Sequence, residues 1–195
     1  MTAREIEGTK TEQNLMKAFI GESMARNRYT YFAKVAKDEG YEQIAGIFLE
    51  TADNEKEHAK RFFKFFGKDN IPVEISDIIC PTGLSDTVVN LENAIKGEHE
   101  ENTKLYPEFA RIAREEGFDS IAACFEAIVY AERAHEKRYL AFLNNLRNDT
   151  VFKRDYPITW KCRNCGYAAE SAQAPQVCPA CLHPMSYFEA YCDNY

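Results

Sequence analysis

The sequence predicts an all-α four-helix bundle with one long crossover, followed by a small C-terminal domain organised around cysteines. The first observation is an internal repeat, in which residues 21–65 match residues 97–142 as expected for a duplicated helical hairpin. The second is a pair of Cys-x-x-Cys motifs at 162–165 and 178–181, a spacing typical of metal sites. The third is composition: 195 residues with 45% hydrophobic content can bury a full core and leave a small second module.

Four amphipathic helices account for the long N-terminal part of the chain. Gly40 and Gly117 stand at equivalent positions of the repeat and are expected to end the first helix of each hairpin as left-handed caps. The crossover between the hairpins, about eighteen residues, reaches roughly 60 Å when extended, so it can run back along a helix roughly 37 Å long. The expected helices cover 11–39, 42–66, 86–116 and 119–147. The predicted domains are 1–148 and 159–195, with an irregular linker at 149–158.

Charge and hydropathy exclude some classes of partner. The formal net charge of −7 argues against nucleic acid or an anionic membrane surface. Residues 1–8 lack the apolar core of a signal peptide, and the longest apolar stretch is too short to span a bilayer. Seven cysteines, four of them in the paired motifs, favour a reducing compartment over a disulfide framework. We therefore expect a soluble, cytoplasmic protein that binds neither nucleic acid nor membrane.

The repeat brings carboxylates and histidines to one height of the bundle. Glu22 precedes Gly40 by as many positions as His58 follows it, so the two meet at one level of an antiparallel hairpin, with Glu55 one helical turn away. Residues three apart share one helix face, so a Glu-x-x-His motif can present its carboxylate and its imidazole together. The second hairpin supplies the equivalent residues Glu98, Glu132 and His135.

Such a set is the pattern of di-iron and di-manganese carboxylate bundles: one Glu from each of two helices and Glu-x-x-His from each of the other two. Ordinary solvated helix charges are the alternative interpretation. Two motifs at equivalent positions of a repeat favour the metal site. His99 and His183 fit an exposed helix residue and a loop residue, and we predict neither as a ligand.

The repeat is broken once, within the third helix. The interval along the chain from Phe32 to its counterpart Phe109 is one position longer than the interval from Glu22 to Glu98. The third helix therefore has one extra residue between its glutamate and its phenylalanine. A π-bulge absorbs such an insertion at low cost, and π-bulges are frequent at functional sites. Glu101, three residues after Glu98 on the same face, is a candidate seventh protein ligand.

Charge counting gives Glu101 a possible role in redox chemistry. Two ferrous ions facing the five glutamates of the predicted site would leave one net negative charge. If Glu101 leaves on reduction and the neutral His58 replaces it, the reduced site is neutral. We therefore hypothesise that redox state and ligand choice are coupled. Crystals of the oxidised and reduced protein with identical ligands around both metals would refute this hypothesis.

The C-terminal cysteines predict a second metal centre. Four thiolates on two short knuckles make a closed tetrahedral site, which suits Zn²⁺ or a single iron equally well on geometry. A structural zinc ribbon is the alternative, but redox-inactive zinc would leave the two-metal centre without an obvious electron source. We therefore favour iron. The predicted ligands are Cys162, Cys165, Cys178 and Cys181, whereas Cys124, on an apolar stretch, is expected to be a core thiol.

Taken together, the motifs resemble those of the rubrerythrin family over essentially the whole chain. The matching segments are 21–29, 55–58, 97–101, 132–135 and the two cysteine knuckles. The resemblance implies a ferritin-like bundle and a β-rich rubredoxin-like domain, with two irons in a carboxylate-bridged site and a third iron on the cysteines. It implies as ligands of the two irons Glu22, Glu55, Glu98, Glu101, Glu132 and His135, with His58 in the reduced state. Tyr29 and Tyr106 match tyrosines that orient the ligands in the family, although ordinary helix packing would also explain them.

The resemblance implies a non-haem di-iron peroxidase that reduces hydrogen peroxide to water in oxidative-stress defence. Electrons would come from rubredoxin or an NAD(P)H-dependent reductase, and the lack of a Gly-x-Gly-x-x-Gly motif fits a protein donor. The family commonly forms dimers in which the cysteine module of one chain approaches the two-iron site of the other, so a homodimer or higher homo-oligomer is expected. Two alternatives stay open: a ferroxidase that handles iron, and a zinc-ribbon adaptor on an inert bundle.

Overall fold

The computed structural model describes residues 3–68 and 71–192 and confirms the predicted four-helix bundle followed by a small β-rich part. A short helix α1 (Ala3–Ile6) precedes the long helices α2 (Lys10–Asp38) and α3 (Glu42–Phe63), and α3 continues as a 3-10 turn, Lys64–Phe66. The third long helix consists of α4 (Thr87–Glu100), a π-helical segment (Glu101–Leu105) and α5 (Tyr106–Glu115). The fourth is α6 (Asp119–Arg147). No helix in the described part of the chain is both long and apolar enough to cross a membrane.

Local sequence signals set the ends of these helices. The Thr9 side chain accepts a hydrogen bond from the Glu12 N–H, and the Asp86 side chain accepts one from the Val89 N–H, which caps α2 and α4. Gly40 and Gly117 both have φ of 85°, as predicted for left-handed caps. A side chain with a Cβ would be strained at this φ, so glycine allows both hairpins to turn tightly.

Two glutamates at equivalent positions of the repeat form hydrogen bonds between the two hairpins. Glu116, at the end of α5, accepts hydrogen bonds from the backbone N–H groups of Lys10 and Thr11. Glu39, its counterpart in the repeat, accepts one from the Thr87 N–H at 3.1 Å. Each glutamate therefore caps the first helix of the opposite hairpin, where a negative charge is favourable. The start of α4 thus lies near the end of α2, which confirms that the crossover runs back along the bundle.

The extra residue of the third helix forms a π-helical segment, Glu101–Leu105, within the interval that the repeat comparison predicts. The Tyr106 N–H donates to the carbonyl oxygen of Glu101, five residues earlier. Pro107 follows at the start of α5 and has no backbone N–H to continue a regular ladder. The segment lets α4 and α5 each keep their buried face despite the insertion.

Two apolar clusters fill the bundle, one on each side of the predicted metal layer. The first includes Leu15, Phe62 and Phe125, and the second includes Phe32 and Phe48. Full burial of such a side chain contributes about 1.5–3 kcal/mol each, so the clusters hold the four helices together on both sides of the site. Cys124 is buried in the first cluster, as predicted.

The C-terminal part is a three-stranded antiparallel sheet of order β2-β1-β3. Its strands are β1 (Lys153–Cys162), β2 (Ala168–Gln173) and β3 (Phe188–Ala190). The strand β1 begins inside the segment expected to be an irregular linker, because Lys153 pairs with Gln173 across a register shift before the regular pairing starts at Ile158. Only about five residues between α6 and β1 are irregular. The outer ends of the predicted domains, 1–2 and 193–195, lie outside the described residues.

The cysteine-bearing part packs against the turn between α2 and α3. The rings of Tyr41 and Phe152 stack with centroids 6.2 Å apart. The guanidinium of Arg163, between the first two cysteines, lies so close to Gly46 on α3 that a Cβ at this position would collide with it. The absence of a side chain at Gly46 therefore leaves room for this guanidinium on the surface of α3.

Candidate metal centres

Glu55 on α3 and Glu132 on α6 lie between two histidines and are shared by two potential metal-binding groups. The first group consists of Glu22, Glu55, His58 and Glu132. The second consists of Glu55, Glu98, Glu132 and His135. Within each group the candidate ligand atoms lie within 4.8 Å of one another, which is close enough to surround one ion.

The two shared carboxylates each turn one oxygen to each histidine. Glu55 places Oε2 at 2.8 Å from Nδ1 of His58 and Oε1 at 3.1 Å from Nδ1 of His135. Glu132 places Oε1 at 3.0 Å from Nδ1 of His58 and Oε2 at 2.9 Å from Nδ1 of His135. This is the arrangement that two bridging carboxylates need, and it follows from the helical spacing of the two Glu-x-x-His motifs.

The remaining glutamates each serve one side of the centre. Glu22, on α2, places Oε1 at 3.9 Å from Nδ1 of His58, and Glu98, on α4, places Oε2 at 3.3 Å from Nδ1 of His135. Both side chains are almost fully buried. The predicted convergence of one glutamate from each of these helices with the two Glu-x-x-His motifs is therefore present in the structure.

Two buried tyrosines contact these glutamates from the apolar clusters. The hydroxyl of Tyr106 donates to Oε1 of Glu22 at 2.5 Å, and the hydroxyl of Tyr29 donates to Oε1 of Glu98. Each tyrosine is therefore both a packing residue of its cluster and a hydrogen-bond donor to a carboxylate. Such a bond fixes the orientation of the second carboxylate oxygen.

The electrostatics of the cluster require a cation or protons. Burial, and after it the nearby carboxylates Glu132 and Glu55, raise the pKa of Glu22 well above its usual value. Burial likewise raises the pKa of Glu98. The buried oxygens Oε1 of Glu55, Oε2 of Glu98 and Oε1 of Glu132 share histidine Nδ1 atoms that also face other carboxylate oxygens. One N–H cannot fully satisfy several carboxylate oxygens, and buried oxygens are costly to leave unpaired. Their position between the histidines fits bound cations.

The carboxylates also change the pKa values of the two histidines. Burial opposes protonation of His58, but hydrogen bonds to Glu132 and Glu55 outweigh it and raise its pKa to about 9. Burial also opposes protonation of His135, but hydrogen bonds to the carboxylates outweigh it and raise the pKa of His135 to about 12. These bonds are to Glu132, Glu55 and Glu98. Burial would raise the pKa of Glu132, but its bonds to His135 and His58 lower it to about 2. In the absence of metal, protonated imidazoles therefore compensate the carboxylates.

Glu101 lies beside the centre but outside both groups. Its Oε1 is in ordinary contact distance, 3.9 Å, of the place where a Cβ on Gly21 would stand. Burial, and after it the charge of Glu98, raise its pKa well above the usual value. The structure thus has His58 inside the carboxylate cluster and Glu101 at its edge; the exchange of these two residues with redox state stays a prediction.

A cavity of about 270 Å³ adjoins Glu101. Tyr29, Tyr106 and crossover residues such as Ile79 line it, together with two basic and three acidic side chains. The cavity is large enough for a small molecule of a few atoms, and Glu101 and the two tyrosines are the residues that connect it with the centre.

Two polar residues that the sequence pattern did not indicate, Asn54 and Asn102, support the centre. Asn54 Oδ1 lies 3.3 Å from Nε2 of His135. Asn102, in the π-helical segment, donates to the carbonyl oxygen of Glu98 at 2.6 Å and to the Glu136 carboxylate at 2.7 Å. Their positions next to predicted ligands were the only available signal. His99 is largely exposed and pairs with Glu136, as expected for a residue outside the site.

The four predicted cysteines form a third potential metal-binding group. The sulfur atoms of Cys162 and Cys181 are 3.7 Å apart, and those of Cys165 and Cys178 are 3.6 Å apart. A tetrahedral site with metal–sulfur bonds of about 2.3 Å has sulfur–sulfur edges of about 3.8 Å, so this geometry fits. The backbone N–H of His183 stabilises the Cys181 thiolate and lowers its pKa to about 6, which favours the ligating form.

Comparison with known proteins agrees with both halves of the structure. Residues 13–143 match the family described as Rubrerythrin, and residues 160–189 match the one described as Rubrerythrin, rubredoxin-like domain. Rubrerythrin-1 of Clostridium acetobutylicum is 56% identical over 194 residues, which cover 98% of this chain and 100% of that protein. Rubrerythrin of Nitratidesulfovibrio vulgaris is 49% identical over 95% of this chain and 96% of that protein.

Solved structures extend the same comparison. A structure described as the mixed-valence state of nigerythrin has 33% sequence identity and a TM-score of 0.62, and the match covers 95% of this chain and 90% of that one. The family thus accounts for a carboxylate-bound di-iron site in the bundle and a rubredoxin-like four-cysteine site after it. With matches of this extent and identity, the chain belongs to the rubrerythrin family.

Proposed function

We propose that this chain is a non-haem di-iron peroxidase that reduces hydrogen peroxide to water in defence against oxidative stress. The chain is a rubrerythrin-family di-iron protein, and such a site suggests an oxidoreductase. Its rubredoxin-like domain implies electron-transfer chemistry. When bound, the iron pair supplies the two electrons that cleave the O–O bond. One hydrogen peroxide, two electrons and two protons give two molecules of water.

The observation that carries this proposal is the pair of carboxylates, Glu55 and Glu132, that two potential metal-binding groups share. They can hold two ions next to each other, and Glu101, at the edge of the cluster, lines a cavity. We propose Glu22 and His58 as further ligands of one ion and Glu98 and His135 as those of the other. Glu101 is proposed as the ligand that replaces His58 when the site is oxidised. Tyr29 and Tyr106 are proposed to orient the carboxylates that they contact.

The protons would pass through residues at the cavity wall. Burial and the neighbouring charge of Glu98 raise the pKa of Glu101, so its carboxyl group can hold a proton close to the substrate while His58 occupies the ligand position. Once deprotonated, Glu101 would be able to serve as a ligand, and its negative charge would offset the additional positive charge of oxidised iron. The charge of Arg28, at the same cavity, partly opposes this rise in the pKa of Glu101.

Electrons would enter through a proposed iron bound by Cys162, Cys165, Cys178 and Cys181. The guanidinium of Arg163, between two of these cysteines, lies against Gly46, which is nine residues or roughly 13.5 Å along α3 from Glu55. We propose that the chain is a homodimer, in which the cysteine site of one chain can serve the di-iron site of the other. The donor to the cysteine site is proposed to be rubredoxin or an NAD(P)H-dependent reductase. The proposed domains are 1–148 and 159–195, joined at 149–158.

Anaerobic stopped-flow mixing of the reduced, iron-loaded protein with hydrogen peroxide and with oxygen tests the reaction. Fast oxidation of both iron centres by peroxide, with a slow response to oxygen, is the expected result. Preferential reaction with oxygen, with ferrous iron consumed beyond the bound stoichiometry, would instead identify a ferroxidase. A cysteine site that shows no visible absorption after oxidation of the iron-loaded protein would contradict the relay.

Substitution of a cysteine ligand separates the relay from the chemistry. Cys178→Ser is expected to leave a single oxidation of the prereduced protein by peroxide but to abolish steady-state turnover. Mixed dimers of Cys178→Ser with Glu132→Gln, which lacks a shared carboxylate, test the route between chains. Recovery of turnover in the mixed dimers supports transfer from one chain to the other, whereas full turnover of Cys178→Ser alone would refute the relay.

A further inference from the structure

The imidazole of His135 is held at both of its nitrogens. Its Nδ1 faces the carboxylates of Glu55, Glu98 and Glu132. Its Nε2 lies 3.3 Å from Oδ1 of Asn54, which projects from α3 to α6. With Nδ1 directed at the metal position, Nε2 carries the proton and donates it to the amide oxygen. The His135 side chain is only 5% exposed, so water does not readily replace this bond.

His58 has the same environment at Nδ1 but a different one at Nε2. Its Nδ1 contacts Glu55 and Glu132 at 2.8 and 3.0 Å. Among the described residues, none accepts a hydrogen bond from its Nε2, and its side chain is 16% exposed. The ring centroids of the two imidazoles are 6.0 Å apart. Both rings contact the shared carboxylates, but only the Nε2 of His135 has a hydrogen-bond partner among the described residues.

The internal repeat explains this difference. Glu55 and His58 correspond to Glu132 and His135, so the counterpart of Asn54, which directly precedes Glu55, is Ala131. An amide stands at the position that faces His135, and a methyl group stands at the position that would face His58. The pseudo-symmetric halves of the centre thus have one supported and one unsupported histidine.

We propose that Asn54 is a positioning residue that fixes His135 as a permanent metal ligand, and that Ala131 leaves His58 free to withdraw from the site. The inference rests on the proposed roles of the two histidines as ligands. A hydrogen bond from the second ring nitrogen sets the tautomer and the ring orientation of a ligating histidine, and its loss typically lowers metal affinity 10–100-fold. The difference between asparagine and alanine at one repeat position thereby decides which half of the centre exchanges its ligand.

Zinc-loaded full-length protein, labelled with ¹⁵N in its histidines, allows a direct test by long-range ¹H–¹⁵N correlation spectra. Zn²⁺ replaces iron here because it is diamagnetic, and the first equivalent is added to fill the cysteine site. The variants are Asn54→Ala, Asn54→Asp, which keeps an acceptor oxygen, and Ala131→Asn. Asp53→Ala, at the exposed preceding position, is the matched control.

The wild-type protein is expected to show a slowly exchanging Nε2–H for His135 and a rapidly exchanging one for His58. Asn54→Ala should abolish the slow exchange and weaken zinc binding in the bundle by about 10–100-fold. Asn54→Asp should restore both, and Ala131→Asn should slow the exchange at His58. The control should leave both histidine signals and the zinc affinity unchanged.

Two results would overturn the inference in distinguishable ways. If Asn54→Ala keeps the slow Nε2–H signal and binds zinc within about twofold of the wild type, Asn54 does not position His135, although the ligand roles stand. If the wild-type bundle binds no zinc beyond the first equivalent, the proposed ligand set fails and the inference fails with it. Thermal unfolding of each variant followed by circular dichroism shows that a lost signal does not come from an unfolded chain.

Discussion

Glu55 and Glu132 face each other across the bundle, and each directs one carboxylate oxygen towards His58 and the other towards His135. The two residues come from helices α3 and α6 and occupy equivalent positions of the internal repeat. Because each carboxylate serves both sides of the centre, the two potential metal-binding groups cannot be changed independently. This coupling leads to the first prediction.

Glu132→Gln is expected to remove both metal ions from the bundle while the cysteine site keeps its ion. The amide is neutral and has a single acceptor oxygen, so it cannot bridge. Metal analysis of the purified variant measures the loss. Glu57→Gln is the control, because Glu57 lies on α3 near the site but is exposed and, within the described part of the chain, forms its ion pair with Lys60. Retention of both bundle ions in Glu132→Gln would contradict the bridging role.

Tyr106→Phe is expected to weaken the Glu22 side of the centre. The change leaves a buried carboxylate oxygen without its donor, which costs about 1–3 kcal/mol in the free energy of unfolding. The lost bond also normally lowers the pKa of Glu22, so that pKa should rise further. Denaturant titration measures the stability, and Tyr130→Phe, at a side chain 72% exposed, should change it by less than about 0.5 kcal/mol. Equal stability of both variants would argue against the role of Tyr106.

The metal-free protein is expected to lose stability as the pH rises from 5 to 9. The pKa values of Glu22, Glu98 and Glu101 are raised in the folded state, so the folded state loses stability as the pH rises from the usual carboxyl pKa towards these raised values. His58 and His135, raised to about 9 and about 12, contribute stability that is complete below their usual pKa of about 6.5 and is lost as the pH rises through these values.

Thermal unfolding at several pH values, with and without metal, checks this prediction. Glu132, with its pKa lowered to about 2, has the opposite dependence, but its contribution is lost only as the pH falls below the usual carboxyl range. Metal-loaded protein should instead gain stability with rising pH, because the ligands must be deprotonated to bind. A melting temperature of the metal-free protein that stays constant or rises between pH 5 and 9 would contradict the predicted protonation.

Deletion of Thr103 is expected to convert the π-helical segment into regular α-helix without unfolding the bundle. Glu98 and Tyr106 are eight residues apart, whereas their counterparts Glu22 and Tyr29 are seven apart in a regular helix. The deletion equalises the two spacings, so both tyrosine–carboxylate bonds should persist and the melting temperature should change by only a few degrees.

Deletion of Arg26, an exposed residue between Glu22 and Tyr29, is the matched control for the Thr103 deletion. Without a bulge to absorb the change, it rotates the rest of α2 by about 100° and should unfold the protein. Circular dichroism distinguishes the two variants. If both deletions unfold the chain, the bulge is not the simple one-residue insertion that the repeat indicates.

The ligand pattern of the candidate site was largely predictable because each half of the internal repeat contains it once. Equivalent positions of the two Glu-x-x-His motifs indicated the height at which the ligands meet, and the change of the repeat offset by one position located the π-helical segment. The cysteine group followed from its spacing alone, since two Cys-x-x-Cys knuckles leave little freedom to their sulfur atoms. The start of β1 at Lys153 was not predicted, because it depends on pairing with Gln173 on another strand.

The sequence by itself determined the helical periodicity, the duplicated ligand pattern, the extra residue and the four cysteines, because each is a property of neighbours along one chain segment. Only the tertiary structure decided which atoms of different helices meet. The contact of Asn54 with His135, far away along the chain, and the approach of Arg163 to Gly46 are of this kind. Periodicity specifies which face of a helix is buried, but the partner of a side chain on that face depends on how the helices pack against one another.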